Sequence, residues 1–493
     1  MWKHFQKLPL AISLPSIFIL MMMIPSAHGF YAGNEHQGRT FFYAVLLGLF
    51  TLVFLGFSMQ GSRFSAHRHT QLWSLIAFFL GFPIFLAVPF HEVTNSGGFI
   101  NSYLDIVSTV TTTGLPVFPT SALSETLVIW RVCLGWASGF LIWVFAWSVF
   151  APLNLGGFEH LEARGSGKRI FETKSMGKAE LPAEKFWRSA LRLAPVYFWI
   201  TATASLALLI STGDPVFAIL RAMSTISTFG IEIPGHSGAG WSSEAILMVV
   251  MVFALSRATF SNPFFKTDKL NFCRDPEIQV AVILITVSVL LLFCIQWPKL
   301  SGSMAYIKSV WGFLFTSLSF LSTTGVVSDY FPDVLHVSSQ AYFVIGALAM
   351  LGGGVATTAG GIKLLRVYIL AKHCKAEVDR LIAPSQVFSG QSEKIVTSDY
   401  NAMLACVFLM LFILVFATIT LGLTLTGSSV DDALLLTVAT LTNTGPAAQG
   451  VGALSNTVLE LGTDAKLILA LAMIFGRLEV LALLALLNPD IYR

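Results

Sequence analysis

Apolar blocks as long as Leu127–Leu153, Val280–Trp297 and Leu404–Thr426, with one charged residue (Arg131) among them, suit only one solvent. Runs of about 20 mostly apolar residues are long enough to cross a bilayer as helices. Only helices or closed barrels satisfy every backbone polar group there. Charged residues make up 12% of the chain, roughly half the usual share of about 25% in soluble domains. The chain therefore reads as an all-α polytopic membrane protein. A net charge of +3 without a basic stripe argues against nucleic acid. Cys133, Cys273, Cys294, Cys374 and Cys406 have no paired spacing, and the cluster His67-Arg68-His69 reads as a solvated loop, so neither a disulfide framework nor a zinc site is expected.

Lys3 and Lys7 precede the run Leu8–Ile24, which ends in Pro25-Ser26-Ala27. This is either a secretory signal or a retained helix. Retention fits better, because the run is long and a second span, Phe41–Met59, follows at once. Further spans are read near 72–90, 126–150, 188–212, 243–263, 277–297, 339–371, 401–427 and 453–487. Of the 30 Lys and Arg residues, 21 fall on one side of this scheme and five on the other, with four inside spans. The positive-inside rule then puts both termini in the cytoplasm. The opposite side, counting Asp105, Glu244 and Asp432 among its acids, carries 13 acids against five bases. Such a vestibule would concentrate cations.

Each outer connection from span 72–90 onward contains a segment too short to cross. Four of these segments end in similar strings, Ser108–Gly114, Ser224–Gly230, Ser319–Gly325 and Ala439–Gly445. Three positions before the glycine stands Thr111, Ser227, Ser322 or Thr442. Four positions before it stands an aliphatic residue, Val110, Ile226, Leu321 or Leu441. Four covalent span–half-helix–loop–span repeats with pseudo-fourfold symmetry follow. They occupy 71–155, 188–265, 266–372 and 401–493, with two N-terminal helices in 1–70 and cytoplasmic loops at 156–187 and 373–400. Asp214-Pro215, and Ser429 with Asp431-Asp432, are N-terminal capping signals for the second and fourth half-helices. Half-helices running inward would point their partly negative C-terminal ends at the membrane centre. The strings after them would offer rings of carbonyls, with Ser and Thr hydroxyls as further ligands, to a hard, weakly hydrated cation.

With these strings the chain resembles the Trk/Ktr/HKT superfamily of potassium transporters, its two extra N-terminal spans being similar to the bacterial TrkH/TrkG branch. The resemblance implies a selectivity filter at Val110, Thr111, Thr112, Thr113 and Gly114; at Ile226, Ser227, Thr228, Phe229 and Gly230; at Leu321, Ser322, Thr323, Thr324 and Gly325; and at Leu441, Thr442, Asn443, Thr444 and Gly445. The transported K⁺ would be held at Thr112, Thr113, Thr228, Phe229, Thr323, Thr324, Asn443 and Thr444. It also implies a bacterial inner-membrane location, a homodimer, and a cytoplasmic TrkA-like partner that binds NAD and ATP. This chain has no Rossmann fingerprint and is expected to need no organic cofactor of its own.

Two further motifs lie below the strings. Gly352, Gly353, Gly354, Thr357, Thr358, Gly360 and Gly361, followed by Lys363, interrupt a span, because so many glycines cannot hold a straight helix. The stretch 352–361 resembles the intramembrane gating loop of TrkH. Arg477 falls mid-span, where an unpaired arginine costs at least about 2.5–3.5 kcal/mol. It either faces a wet pore, as the family's barrier arginine does, or locks onto an acid such as Glu479. Phe229 departs from the family's small residue, and its effect depends on where its ring points. Leu115 and Pro446 break exact repetition, and one glycine per string suggests loose selection of potassium over sodium. A secondary active symporter coupled to Na⁺ or H⁺ is the competing reading. It calls for inverted repeats and intramembrane carboxylates, whereas these repeats are parallel and Glu479 is the one acid read deep in a span. No cluster of nucleophile, base or metal ligands suggests an enzyme.

Overall fold

The computed structural model describes residues 10–59, 68–94, 97–119, 122–150, 182–233, 240–256, 275–297, 303–331, 339–382, 399–450 and 458–478. They form helices α1 (Leu10–Met21), α2 (Met23–Tyr31), α3 (Glu35–Met59), α4 (Arg68–Thr94), α5 (Phe99–Val110), α6 (Glu125–Phe145), α7 (Pro182–Thr212), α8 (Pro215–Ile226) and α9 (Gly240–Val252). These are followed by α10 (Pro276–Gln296), α11 (Ser303–Leu321), α12 (Ser339–Leu351), α13 (Leu364–Ile382), α14 (Asp399–Leu425), α15 (Val430–Leu441), α16 (Ala447–Gly450) and α17 (Thr463–Leu478). Among the described residues no strand occurs, and seven helices are long and apolar enough to cross a membrane.

The four segments read as half-helices are α5, α8, α11 and α15. The capping residues act as their chemistry dictates: the Asp214 carboxylate accepts from the N–H groups of Val216 (2.9 Å) and Phe217 (3.2 Å), with Pro215 in the first turn. Ser429 accepts from the N–H of Asp432 at 3.1 Å. Each short helix packs between the helices that precede and follow it: α5 between α4 and α6, α8 between α7 and α9, α11 between α10 and α12, and α15 between α14 and α17. The second helix of each set also packs on the next short helix, α6 on α8, α9 on α11, α12 on α15, and α17 back on α5. Four sets linked head to tail in this way close into a cycle, which leaves a shared centre where the short helices end.

The cycle is held by buried polar groups as well as by apolar packing. Arg131 on α6 and Asp105 on α5 lie 3.0 Å apart, both buried. Asp105 is therefore not a vestibule acid: it is buried inside the protein against Arg131, where the sequence pattern assigned it to the outer surface. Glu244 on α9 is buried too, accepting from Trp311 Nε1 (2.7 Å), Ser328 Oγ (2.7 Å) and the Asp329 N–H (3.0 Å). It joins the second set to the third instead of facing outward. The N-terminal helices attach through the His28–Thr126 (3.0 Å) and Ser124–Gln37 (3.1 Å) hydrogen bonds.

Candidate functional site

All four short helices end alike. The N–H groups of Thr112, Thr228, Thr323 and Asn443 donate three residues back, to the carbonyls of Thr109, Thr225, Phe320 and Thr440, at 3.0–3.2 Å. The following N–H groups, of Thr113, Phe229, Thr324 and Thr444, donate five residues back, to Ser108, Ser224, Ser319 and Ala439, at 2.8–2.9 Å. This is the Schellman ending, whose C′ residue is left-handed and usually glycine. Here Thr112 (φ 50°), Thr228 (φ 53°), Thr323 (φ 59°) and Asn443 (φ 53°) take that conformation. It costs a non-glycine residue about 1–2 kcal/mol, and a β-branched one is a true outlier there.

The left-handed side chains all work on one face of the ring. Thr112 Oγ1 accepts from Arg477, Thr228 Oγ1 donates to the Thr358 carbonyl (3.0 Å), and Thr323 Oγ1 accepts from the Gly360 N–H (2.9 Å). Asn443 Nδ2 donates to Thr113 Oγ1 (2.8 Å) and the Met473 carbonyl (3.0 Å). The hydroxyls three before the glycine are also committed: those of Thr111, Ser227, Ser322 and Thr442 donate back to Val107, Met223, Ser319 and Val438 at 2.7–2.9 Å. Each of these hydroxyls spends its proton on the end of its own helix, and its oxygen lone pairs remain available as acceptors.

The strings interlock around that centre. A Cβ placed on Gly114 would lie 1.9 Å from the Phe229 carbonyl oxygen, and one on Gly230 would lie 1.7 Å from that of Thr324. On Gly325 it would meet Thr444 Cγ2 at 2.9 Å, and on Gly445 the Leu115 nitrogen at 2.1 Å. Each string thus touches the next and the fourth touches the first. The Phe229 ring points away from this centre, packed among Val132, Leu220 and Ile231 and filling the space a Cβ on Gly135 would enter at 2.9 Å. Its bulk is spent on the α6 interface, while its carbonyl stays in the ring.

Beneath the left-handed residues lies the loop 352–363, which interrupts α12 and α13 as the glycines required. Its ends zip together, Ile362 N–H to the Met350 carbonyl and Lys363 N–H to that of Leu351, both at 3.0 Å. Gly352 (φ 70°) and Gly361 (φ 78°) are so close that a Cβ on Gly352 would lie 2.2 Å from the Gly360 oxygen. Gly354 N–H bonds to Ala254 on the end of α9 (3.1 Å), Thr357 Oγ1 donates to Gly354 (2.8 Å), and Lys363 Nζ donates to the Ala359 carbonyl. A Cβ on Gly360 would sit 2.0 Å from the Thr442 oxygen and one on Gly353 2.7 Å from the Ala254 oxygen, so the loop is pressed directly on the ring and on α9.

Arg477 on α17 crosses this space. Nε donates to the Thr111 carbonyl (2.7 Å), Nη1 to the Thr358 carbonyl (2.6 Å) and Nη2 to Thr112 Oγ1. One guanidinium, buried, therefore ties the first string to the loop. Glu479, the alternative partner, lies outside the described residues. The sequence reading missed Glu277: buried in the first turn of α10, it accepts the Val355 N–H at 2.9 Å and so holds the start of the loop. The signal was present in Asp275-Pro276-Glu277, a helix start on which Asp275 caps the Glu277 N–H (3.1 Å).

Irregular backbone inside an all-helical membrane protein is tolerated only when buried or lining a polar cavity, and the family match puts this chain in the class of membrane transport proteins. This chain is a member of the TrkH family of cation transport proteins, whose pattern it matches over residues 91–489. It is 27% identical over 430 residues to the Trk system potassium uptake protein TrkI of Halomonas elongata, covering 86% of this chain and 83% of that protein. It is 28% identical over 410 residues to the Trk system potassium uptake protein TrkH of Vibrio parahaemolyticus (80% and 79%) and 26% over 418 residues to that of Escherichia coli (82% and 80%). The crystal structure of the potassium transporter TrkH from Vibrio parahaemolyticus shares its fold, with a TM-score of 0.78 at 21% identity, over 99% of this chain and 100% of that one.

Proposed function

We propose that this chain takes up potassium across the bacterial inner membrane through a pore along the centre of its four-string ring. The observation that carries this reading is the interlocked ring itself, four equivalent left-handed turns with the carbonyls of Phe229 and Thr324 seated against the neighbouring strings. Carbonyls gathered this way replace the hydration shell of a monovalent cation, and the converging helix ends add negative potential. A negative interior drives entry with about 2.3 kcal/mol per charge per 100 mV. In this reading K⁺ is the cargo, held by carbonyls at the positions one and two before each glycine. The loop 352–361 and Arg477 form the gate beneath it, moved by a TrkA-like nucleotide-binding partner docked on the cytoplasmic face, and two copies of the chain pair in the membrane.

The test is ⁸⁶Rb⁺ influx in cells that lack potassium uptake, with the partner supplied. Influx that collapses when a permeant lipophilic cation depolarises the membrane supports the pore. Influx that instead follows an imposed Na⁺ or H⁺ gradient at clamped potential would establish the symporter.

The Glu277 contact makes a further expectation. A hydrogen bond to a charged group is worth about 1.5–3 kcal/mol. Glu277→Ala, which frees the Val355 N–H, is expected to raise partner-independent influx about tenfold. Glu277→Gln keeps an acceptor oxygen and is expected to stay near the parent. Equal influx in all three would show that the anchor does not hold the gate.

A further inference from the structure

The fourth string leaves the ring differently from the first two, and the difference is written at two positions. In the first two strings, the serine six residues before the glycine accepts the N–H of the residue just after it: Ser108 from Leu115 (2.7 Å) and Ser224 from Ile231 (3.1 Å). The fourth string lacks both halves of that bond. Ala439 has no hydroxyl and Pro446 has no N–H. Gly114, Gly230 and Gly325 are left-handed, at φ 73°, 60° and 77°. Gly445 is not among the positive-φ residues, and its N–H donates across the ring to the Thr113 carbonyl at 2.6 Å. The chain then curls into α16, with the N–H groups of Ala447 and Ala448 on the Thr444 and Gly445 carbonyls, both at 3.0 Å.

This path carries the prolyl ring over the centre. Carbons of Pro446 lie 3.4, 3.2 and 3.2 Å from Cβ positions built on Gly114, Gly230 and Gly325. A single side chain that meets the glycine of each of the three other strings stands at their common axis. It stands on the face from which the strings depart, three residues beyond Asn443, whose side chain reaches the opposite face.

We propose that Pro446 is the outer stop of the pore, an apolar constriction that an entering cation must pass while it exchanges water for carbonyls. The inference rests on the uptake reading above. The prolyl ring offers no oxygen, and the adjacent Thr113 carbonyl already accepts from Gly445, so the outermost layer of the ring is poorer in ligands than the layers within. Passage at this point is slowed, and the proline contributes to which cations pass.

The experiment uses the full chain with its partner in cells lacking potassium uptake, after replacement of Cys133, Cys273, Cys294, Cys374 and Cys406 by serine or alanine. Pro446→Cys is treated from outside with a membrane-impermeant cationic methanethiosulfonate, and labelling is read by mass alongside ⁸⁶Rb⁺ influx. Modification is expected to cut influx about tenfold, corresponding to about 1.4 kcal/mol on the barrier, and saturating external Rb⁺ is expected to slow the labelling. Labelling without loss of influx, or no labelling from outside, overturns the stop. Pro446→Ala is expected to raise influx about threefold at equal membrane abundance and to admit more Na⁺ relative to Rb⁺. Unchanged or lower influx at normal abundance also overturns it. Absence of influx in the parent chain would instead sink the uptake reading, and this inference with it.

Discussion

Gly230→Ala is expected to reduce ⁸⁶Rb⁺ influx at least about a hundredfold, which is about 2.7 kcal/mol on the barrier, with the protein still in the membrane at near-normal abundance. The added Cβ would stand 1.7 Å from the Thr324 carbonyl oxygen. That oxygen belongs to backbone, so it cannot swing aside as a flexible side chain would. At φ 60°, alanine is disfavoured at this position even before the collision. Crowding by backbone ranks the other glycines in the same way. Gly114→Ala meets the Phe229 oxygen at 1.9 Å and is expected to be as severe, and Gly445→Ala meets the Leu115 nitrogen at 2.1 Å. Gly325→Ala meets only a threonine methyl at 2.9 Å, besides Pro446 carbons, and is expected to keep the most activity of the four, though its φ of 77° still strains the residue. Influx measured for the four variants at matched abundance checks the order. If Gly325→Ala were the most severe, the ring would not be tuned by backbone crowding.

The second large effect is expected at Arg477. Its guanidinium donates to the Thr111, Thr112 and Thr358 carbonyls and to Thr112 Oγ1, and so clamps the loop to the first string. Arg477→Ala removes the positive charge beneath the ring and releases Thr358. Partner-independent influx is expected to rise by about tenfold or more. Arg477→Lys is expected to fall between parent and alanine, because an ammonium keeps the charge but lacks the planar fork that reaches several acceptors at once. Influx measured without the partner decides. Equal or lower influx in Arg477→Ala, with the variant present in the membrane, would mean that the arginine braces the ring and does not bar the path.

The first effect falls on glycines found from local pattern; the second falls on an arginine that also stood out in the sequence, but whose acceptors did not. The strings, their glycines and the broken span at 352–361 could all be found from local pattern. Asp214-Pro215 and Ser429 mark helix starts because a side-chain oxygen satisfies N–H groups only two or three residues away. Glycine-rich sequence marks a broken span for a similarly local reason. The left-handed residues were not legible. Thr112, Thr228, Thr323 and Asn443 stand two positions before the glycines where that conformation would be sought, and β-branched threonine is among the least suited residues to adopt it. The three threonines contact the loop and Arg477, and Asn443 contacts Thr113 and Met473, in bonds that no local rule contains. Asp105 misled for a related reason. A single acid near an outer connection reads as a surface charge until Arg131, on the following helix, is seen 3.0 Å away.

By itself the sequence determined the apolar spans, several helix starts and the fourfold recurrence of a turn, because hydropathy, capping and glycine freedom act over a few residues. Tertiary structure alone decided the cyclic order of the repeats, the outward direction of the Phe229 ring, the anchoring of the loop by Glu277 and the seat of Pro446 over three glycines. Thr111 and Arg477 are 366 residues apart in the chain and 2.7 Å apart in space. No short-range propensity encodes such a distance. It exists because a buried guanidinium must find acceptors, and closure of four helix sets into a ring brings the first string's carbonyls within its reach.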